Sequence, residues 1–281
     1  MTGSALGLAW GLMRGNSAGW MSLEVVAALG AGLLLAAAFV GWELRAREPM
    51  VPMRFFRSYA FASGIASSFF FYASMYGVLF FLPQFLQTAQ GHGPFAAGVR
   101  LLPWTATLFV VAPVAGKLVN RVGERPLVVT GLILQAVGMA WIGLIVAPDL
   151  AYMELVAPLI LAGAGVSMAM PAAQNSVLSS VAGSEIGKAS GTFNMLRYLG
   201  GVFGIAVLVA VFAQTGGFHS AQAFSKGFAL AIGASASLSV IAAIAGWWLP
   251  GGVMAPASVA SAVRRETESG PAMSGYQADQ A

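Results

Sequence analysis

Lys117, Arg121, Glu124 and Arg125 fall within nine residues of the stretch GKLVNRVGERPLVVTG (Gly116 to Gly131), in a 281-residue chain that is only 9% charged. Guanidinium groups at a turn between two apolar runs can meet helix C-terminal carbonyls or a carboxylate on a neighbouring helix, or they can be the ordinary basic loop of a membrane protein. A second candidate is Arg197 in GTFNMLRYLGG, three residues after Asn194 and one helical turn before Gly201, so that all three share one helix face. The usual catalytic groupings are missing. His92 and His219 stand 127 residues apart, and cysteine is absent, which removes thiolate nucleophiles, disulfides and Cys-based metal sites. No Ser/His/Asp constellation, Walker loop or dinucleotide fingerprint is present, since GAG and GGVFG lie inside apolar runs where glycine serves helix packing. The residues therefore predict no enzyme, no metal and no cofactor.

The elements that must position these groups are hydrophobic segments. Apolar residues make up 58% of the chain and the mean hydropathy is +0.79. Several apolar runs exceed the roughly 18 residues that can cross a hydrocarbon core. We place segments at Gly3 to Met13, Leu23 to Trp42, Tyr59 to Phe81, Ala96 to Val119, Pro126 to Val146, Met153 to Ala173, Gly191 to Ala213 and Phe224 to Leu249. The first is too short to span and carries no basic residue before it, so it is not a signal peptide and reads as a truncated helix. The residues after Leu249 are small, polar and rich in Pro and Gly, which predicts a disordered tail over 250–281. A net charge of +4 with no long basic face gives no support to nucleic-acid binding.

Charge placement orients the segments. If Leu23 to Trp42 runs inward, Arg45, Arg47, Arg54, Arg57, Lys117, Arg121, Arg125, Lys188, Arg197, Arg264 and Arg265 share one side, leaving Arg14, Arg100 and Lys226 on the other. Retention of Lys and Arg in the cytoplasm makes the richer side cytoplasmic, with the C-terminal tail on that side of a plasma or inner membrane. At the turn itself, Gly116 permits a close helix contact, Asn120 can cap a helix end, Gly123 can take a positive φ, and Pro126 can start the next helix.

Polar groups at membrane depth are candidates for function because burying them is costly. Tyr72, Tyr76, Gln84, Gln135, Asn175, Asn194 and Arg197 are candidates to line a substrate cavity. Each has a plainer alternative, in which the aromatics face lipid, the amides bond to a neighbouring helix and Arg197 snorkels to headgroups. No carboxylate reads as embedded, because Glu24, Glu43, Glu154 and Glu185 fall at segment ends or in loops.

GKLVNRVGERPLVV resembles the cytoplasmic signature of the major facilitator superfamily, matching at Gly116, Leu118, Arg121, Gly123 and Arg125 and departing at Asn120, where that family usually has Asp. Taken with WELRAREPMVPMRFFRSYAF, FFLPQFLQTAQGHGPFAAGVRLLP and GKASGTFNMLRYLGGVFGIAV, the order is similar to the C-terminal part of the fourteen-helix drug:proton antiporters. The resemblance implies an all-α integral membrane bundle: 1–58 with a truncated helix, a linker helix and a basic loop, then a six-helix transporter half over 59–249 built from two inverted three-helix units, then the tail. It implies export of small amphipathic molecules driven by a proton gradient, with the lipid bilayer as surroundings and a further N-terminal six-helix half as partner. Gly116, Leu118, Asn120, Arg121, Gly123 and Arg125 would then act as a conformational latch, with the relay expected at Asn120 in question. The other reading keeps the membrane fold but makes the chain a non-transporting subunit that pairs with a separate half.

Overall fold

The computed structural model describes residues 51–251 throughout, together with 21–45, Gly19, Pro49 and eight residues between Gly3 and Gly15. Arg47, the side chain of Asn120 and the tail with Arg264 and Arg265 lie outside the described residues. Among the described residues, and after the helical ones between Gly3 and Gly15, the α-helices in order are α1 (Leu23–Glu43), α2 (Tyr59–Gln84), α3 (Pro94–Arg100), α4 (Leu102–Val122), α5 (Glu124–Ile145), α6 (Tyr152–Leu178), α7 (Ile186–Thr215) and α8 (Ala221–Trp247). All but α3 belong to segments long and apolar enough to cross a membrane. Helix is the form such sequences take in lipid, because it satisfies every backbone group within one segment. Among the described residues the protein is all-α.

Local chemistry sets the ends. Ser22 Oγ accepts from Val25 N–H at the start of α1, and Ser220 Oγ accepts from Ala223 N–H at the start of α8. Gly123 turns α4 into α5 with φ +84°, a conformation that a residue with a Cβ rarely adopts. Hydropathy places a single segment from Ala96 to Val119, but the structure breaks it at Leu101. Pro103 has no N–H to donate to the carbonyl of Val99, so α3 ends and α4 begins there. Elsewhere the helices outrun the apolar segments. α6 continues past Ala173 to Leu178 because Ser176 Oγ donates to Ala173 O at 2.8 Å, so that a polar residue satisfies itself on its own helix. α7 begins at Ile186, where Thr192 Oγ1 and Asn194 Nδ2 donate to the carbonyls of Lys188 and Ser190. Past Pro83, α2 widens into one π turn over Phe85–Ala89 before the chain reverses.

The six spans from α2 onward pack with a pseudo-two-fold pattern. α2 packs on α7 and α8 in the way that α6 packs on α4 and α5, while α5 meets α8 and α2 meets α6 across the axis. Glycine makes the tightest of these contacts. Gly131 and Gly138 on α5 leave no room for a Cβ against Gly165 and Ala162 on α6, and Gly200 and Gly204 on α7 press on the carbonyls of Phe69 and Ala73 on α2. Between α2, α5 and α8 lies a polar core, in which Ser74 Oγ meets Ser235 Oγ at 2.8 Å, Ser239 Oγ at 2.7 Å and Gln135 Nε2 at 3.0 Å. α1 stands apart from the bundle and is largely exposed. The helical residues described near the N-terminus run beside it, with Gly7 against the Ala28 carbonyl and Arg14 Nε 3.2 Å from Glu24. The α1–α2 connection, the α4–α5 turn and the α6–α7 connection share one end of the bundle, which also carries most of the basic residues.

Candidate functional site

The glycine stripe of α7 determines where its one internal charge points. Arg197, Gly200, Gly201 and Gly204 follow helical spacing along a single face, and that face lies against α2. The Arg197 guanidinium carbon consequently sits 5.3 Å over the ring of Tyr72 and 4.9 Å over that of Tyr198, and Nη2 donates to the Tyr198 hydroxyl at 3.2 Å. Tyr72 is 1% exposed, and its ring also contacts Phe71, Tyr76 and Phe193. At roughly 1.5 Å per residue, Tyr72 lies about 20 Å along α2 and Arg197 about 16 Å along α7 from the basic end. The guanidinium is therefore held against α2 at that depth. Tyr198, beside it, is 58% exposed, and Gly201 lies against the ring of Tyr76.

Of the seven cavity candidates, the structure brings Tyr72, Tyr76 and Arg197 together, with Asn194 one turn before Arg197 on the same helix. The others are dispersed. Gln84 lies at the far end of α2, where its amide donates to Phe80 O at 2.9 Å. Gln135 is fully buried inside the bundle and belongs to the Ser74 cluster. Asn175 lies at the basic end, where it serves a carboxylate.

That carboxylate is Glu124. It is 6% exposed, and its Oε1 accepts from Asn175 Nδ2 at 2.7 Å and from Ser179 Oγ at 3.5 Å, tying the first turn of α5 to the last turn of α6. Around it, the six latch candidates separate. Gly123 forms the turn, and Arg125 sits 4.7 Å over the Trp247 ring of α8. Arg121 is exposed, Leu118 is 36% exposed, and Gly116 has nothing within 4 Å of where a Cβ would stand, so a helix contact at Gly116 is not made within this chain's described residues. The backbone of Asn120 lies within α4. Sequence reasoning concentrated on the missing Asp at 120 and passed over Glu124. The available signal was a carboxylate directly after a turn glycine, in the first turn of a helix.

An ion pair at this end, Arg54 with Glu185, joins the approach to α2 to the approach to α7. Glu43 is also buried there and accepts from Val51 N–H at 3.2 Å. At the opposite end Arg100 lies 5.4 Å over the ring of Tyr152.

Comparison with known proteins bears on what this arrangement serves. A family model described as Major Facilitator Superfamily matches residues 1–205 and, in an overlapping second match, residues 64–275. The chain is 30% identical over 206 residues to the multidrug resistance protein Stp of Mycobacterium tuberculosis, covering 73% of this chain and 38% of Stp. It is 31% identical over 214 residues to the tetracenomycin C resistance and export protein of Streptomyces glaucescens, covering 76% and 40%. It is 29% identical over 192 residues to the multidrug efflux pump LfrA of Mycolicibacterium smegmatis, covering 68% and 38%. The chain thus spans well under half the length of these relatives.

Proposed function

Because the chain belongs to the major facilitator superfamily and carries, among its described residues, seven helices long and apolar enough to cross a membrane, we propose that it supplies the C-terminal half of a proton-coupled exporter of amphipathic small molecules. In this reading the protein resides in the cytoplasmic membrane of a bacterium with the basic end of the bundle inside. A preceding six-helix half covers the face of α2 and α7 that carries Tyr76, Arg197 and the exposed Tyr198. Substrate binds between the halves near mid-depth, and the halves rock to expose it to alternate sides. The observation that carries the reading is the Arg197–Tyr72 pair: a cation placed deep in a membrane bundle is costly and is retained where a cavity uses it. The printed names of Stp, LfrA and the tetracenomycin C protein support small-molecule efflux. The basic-end residues Gly116, Leu118, Asn120, Arg121, Gly123 and Arg125 act in this scheme as the latch. Gly116 and Arg121 are left facing outward for the other half, while Glu124 braces the turn from within.

Coupling is tested in proteoliposomes holding the chain joined in frame to a matching N-terminal half. With a pH gradient imposed across the vesicle, adding ethidium is expected to produce countermovement of protons and ethidium. Ethidium movement that leaves the proton gradient untouched would refute the coupling, and a vesicle in which neither moves would favour a non-transporting subunit.

A further inference from the structure

Among the described residues Arg197 is a cation without a counter-ion. Among the described residues no carboxylate lies within salt-bridge distance of it, and the basic-end carboxylates Glu124, Glu185 and Glu43 are already engaged by Asn175, Arg54 and the Val51 amide. Its partners are two tyrosine rings and one phenolic oxygen. Ring contacts engage the face of a guanidinium, whereas its N–H groups point outward in its plane. The Nε–H of Arg197 is buried with no hydrogen-bond partner, and so is the hydroxyl of Tyr72, over whose ring the guanidinium carbon sits. Two buried donors left unmet on neighbouring side chains are expensive for a folded protein unless an acceptor reaches them in its working state. The chemistry they fit is a planar carboxylate, which can take Nε–H and an Nη N–H side by side and accept from the phenol with a remaining lone pair. Arg197 is held for this on the α7 glycine stripe, because Gly200 and Gly204 bring the helix close enough to α2 for the guanidinium to lie on Tyr72.

We propose that Arg197 and Tyr72 form a carboxylate-binding socket. Its occupant is the carboxylate of an amphipathic acid being exported or of a side chain on the preceding half. The proposal rests on the transporter reading for its biological meaning, but binding at the socket does not require transport, so the two can fail separately.

The test uses the full chain in lipid nanodiscs with arginine ¹⁵N-labelled, following the Arg197 Nε–H resonance as benzoate, benzamide or benzylammonium is added. Benzoate is expected to shift that resonance and to bind at least tenfold more tightly than the other two. Arg197→Gln should abolish the preference, Arg197→Lys should weaken it severalfold because an ammonium lacks the side-by-side donors, and Tyr72→Phe should weaken it while leaving the remaining spectrum intact. In the protein joined to an N-terminal half, a resonance already shifted before benzoate is added assigns the socket to a carboxylate of that half. One that shifts only with benzoate assigns it to a free ligand. Equal response to benzoate and benzamide, benzoate binding unchanged in Arg197→Gln, or a resonance that moves in neither preparation would overturn the proposal.

Discussion

Replacing Gly204 with leucine is expected to eliminate the folded chain: detergent extracts of the variant should give aggregate in place of a single symmetric gel-filtration peak. A Cβ at this position would sit inside the carbonyl of Ala73, and one turn earlier Gly200 meets the carbonyl of Phe69 in the same way. Both obstacles are helix backbone, which cannot rotate away as a side chain can. α7 would have to lift from α2 along its length, loosening Phe203 from Phe69, Leu208 from Gly77 and Arg197 from Tyr72. Overpacking at one site costs about 1–3 kcal/mol, and a shift that also strips several buried contacts passes the upper end of that range. Gly187→Leu, at a glycine of the same helix with open space around it, should elute like the parent. Identical elution of the two variants would show that the α2–α7 contact is not a tight one.

Removing the Glu124 side chain has the next largest expected effect. Glu124→Ala leaves Asn175 Nδ2 without its acceptor at the α5–α6 junction and discards a charge-assisted hydrogen bond that the helix dipole favours, a loss of about 1.5–3 kcal/mol. In a thermal-aggregation assay the alanine variant should lose several degrees. Glu124→Gln should retain much of the parent's stability, because its amide oxygen still accepts from Asn175. Alanine and glutamine variants that melt together with the parent would remove the brace from the account.

The helices were legible because a bilayer leaves few alternatives: long apolar runs flanked by Arg and Lys become spans, and Leu23–Glu43, Glu124–Ile145 and Ala221–Trp247 lie close to the segments read from hydropathy. Boundaries failed where polarity and helicity part company. Gln174 to Leu178 reads as the end of a span, yet Asn175 bonds to Glu124 and Ser176 to its own helix, so α6 continues. Ala96 to Val119 reads as one span because hydropathy does not register that Pro103 lacks an N–H.

The site was legible in part. Arg197 and Tyr72 each stood out as polar groups in apolar surroundings, but their meeting depends on a close α2–α7 approach that only three-dimensional packing reveals. Gln135 and Asn175 had the same signature and turned out to bond within this bundle, because an amide in an apolar helix is satisfied as readily by a neighbouring serine or carboxylate as by a ligand. Glu124 read only as one charge of a turn, because it lies among three basic residues where composition suggests solvent, and its buried bond to Asn175 was not legible.

The central claim is that this bundle is one half of an exporter whose cavity is completed by a preceding six-helix half. Uncoupler-sensitive ethidium efflux, compared between cells expressing these 281 residues alone and cells expressing them joined to a matching N-terminal half at equal membrane abundance, tests it most directly. Efflux that collapses on adding the uncoupler is expected in the joined form, and none above background with the chain alone. Equal uncoupler-sensitive efflux from both would contradict it.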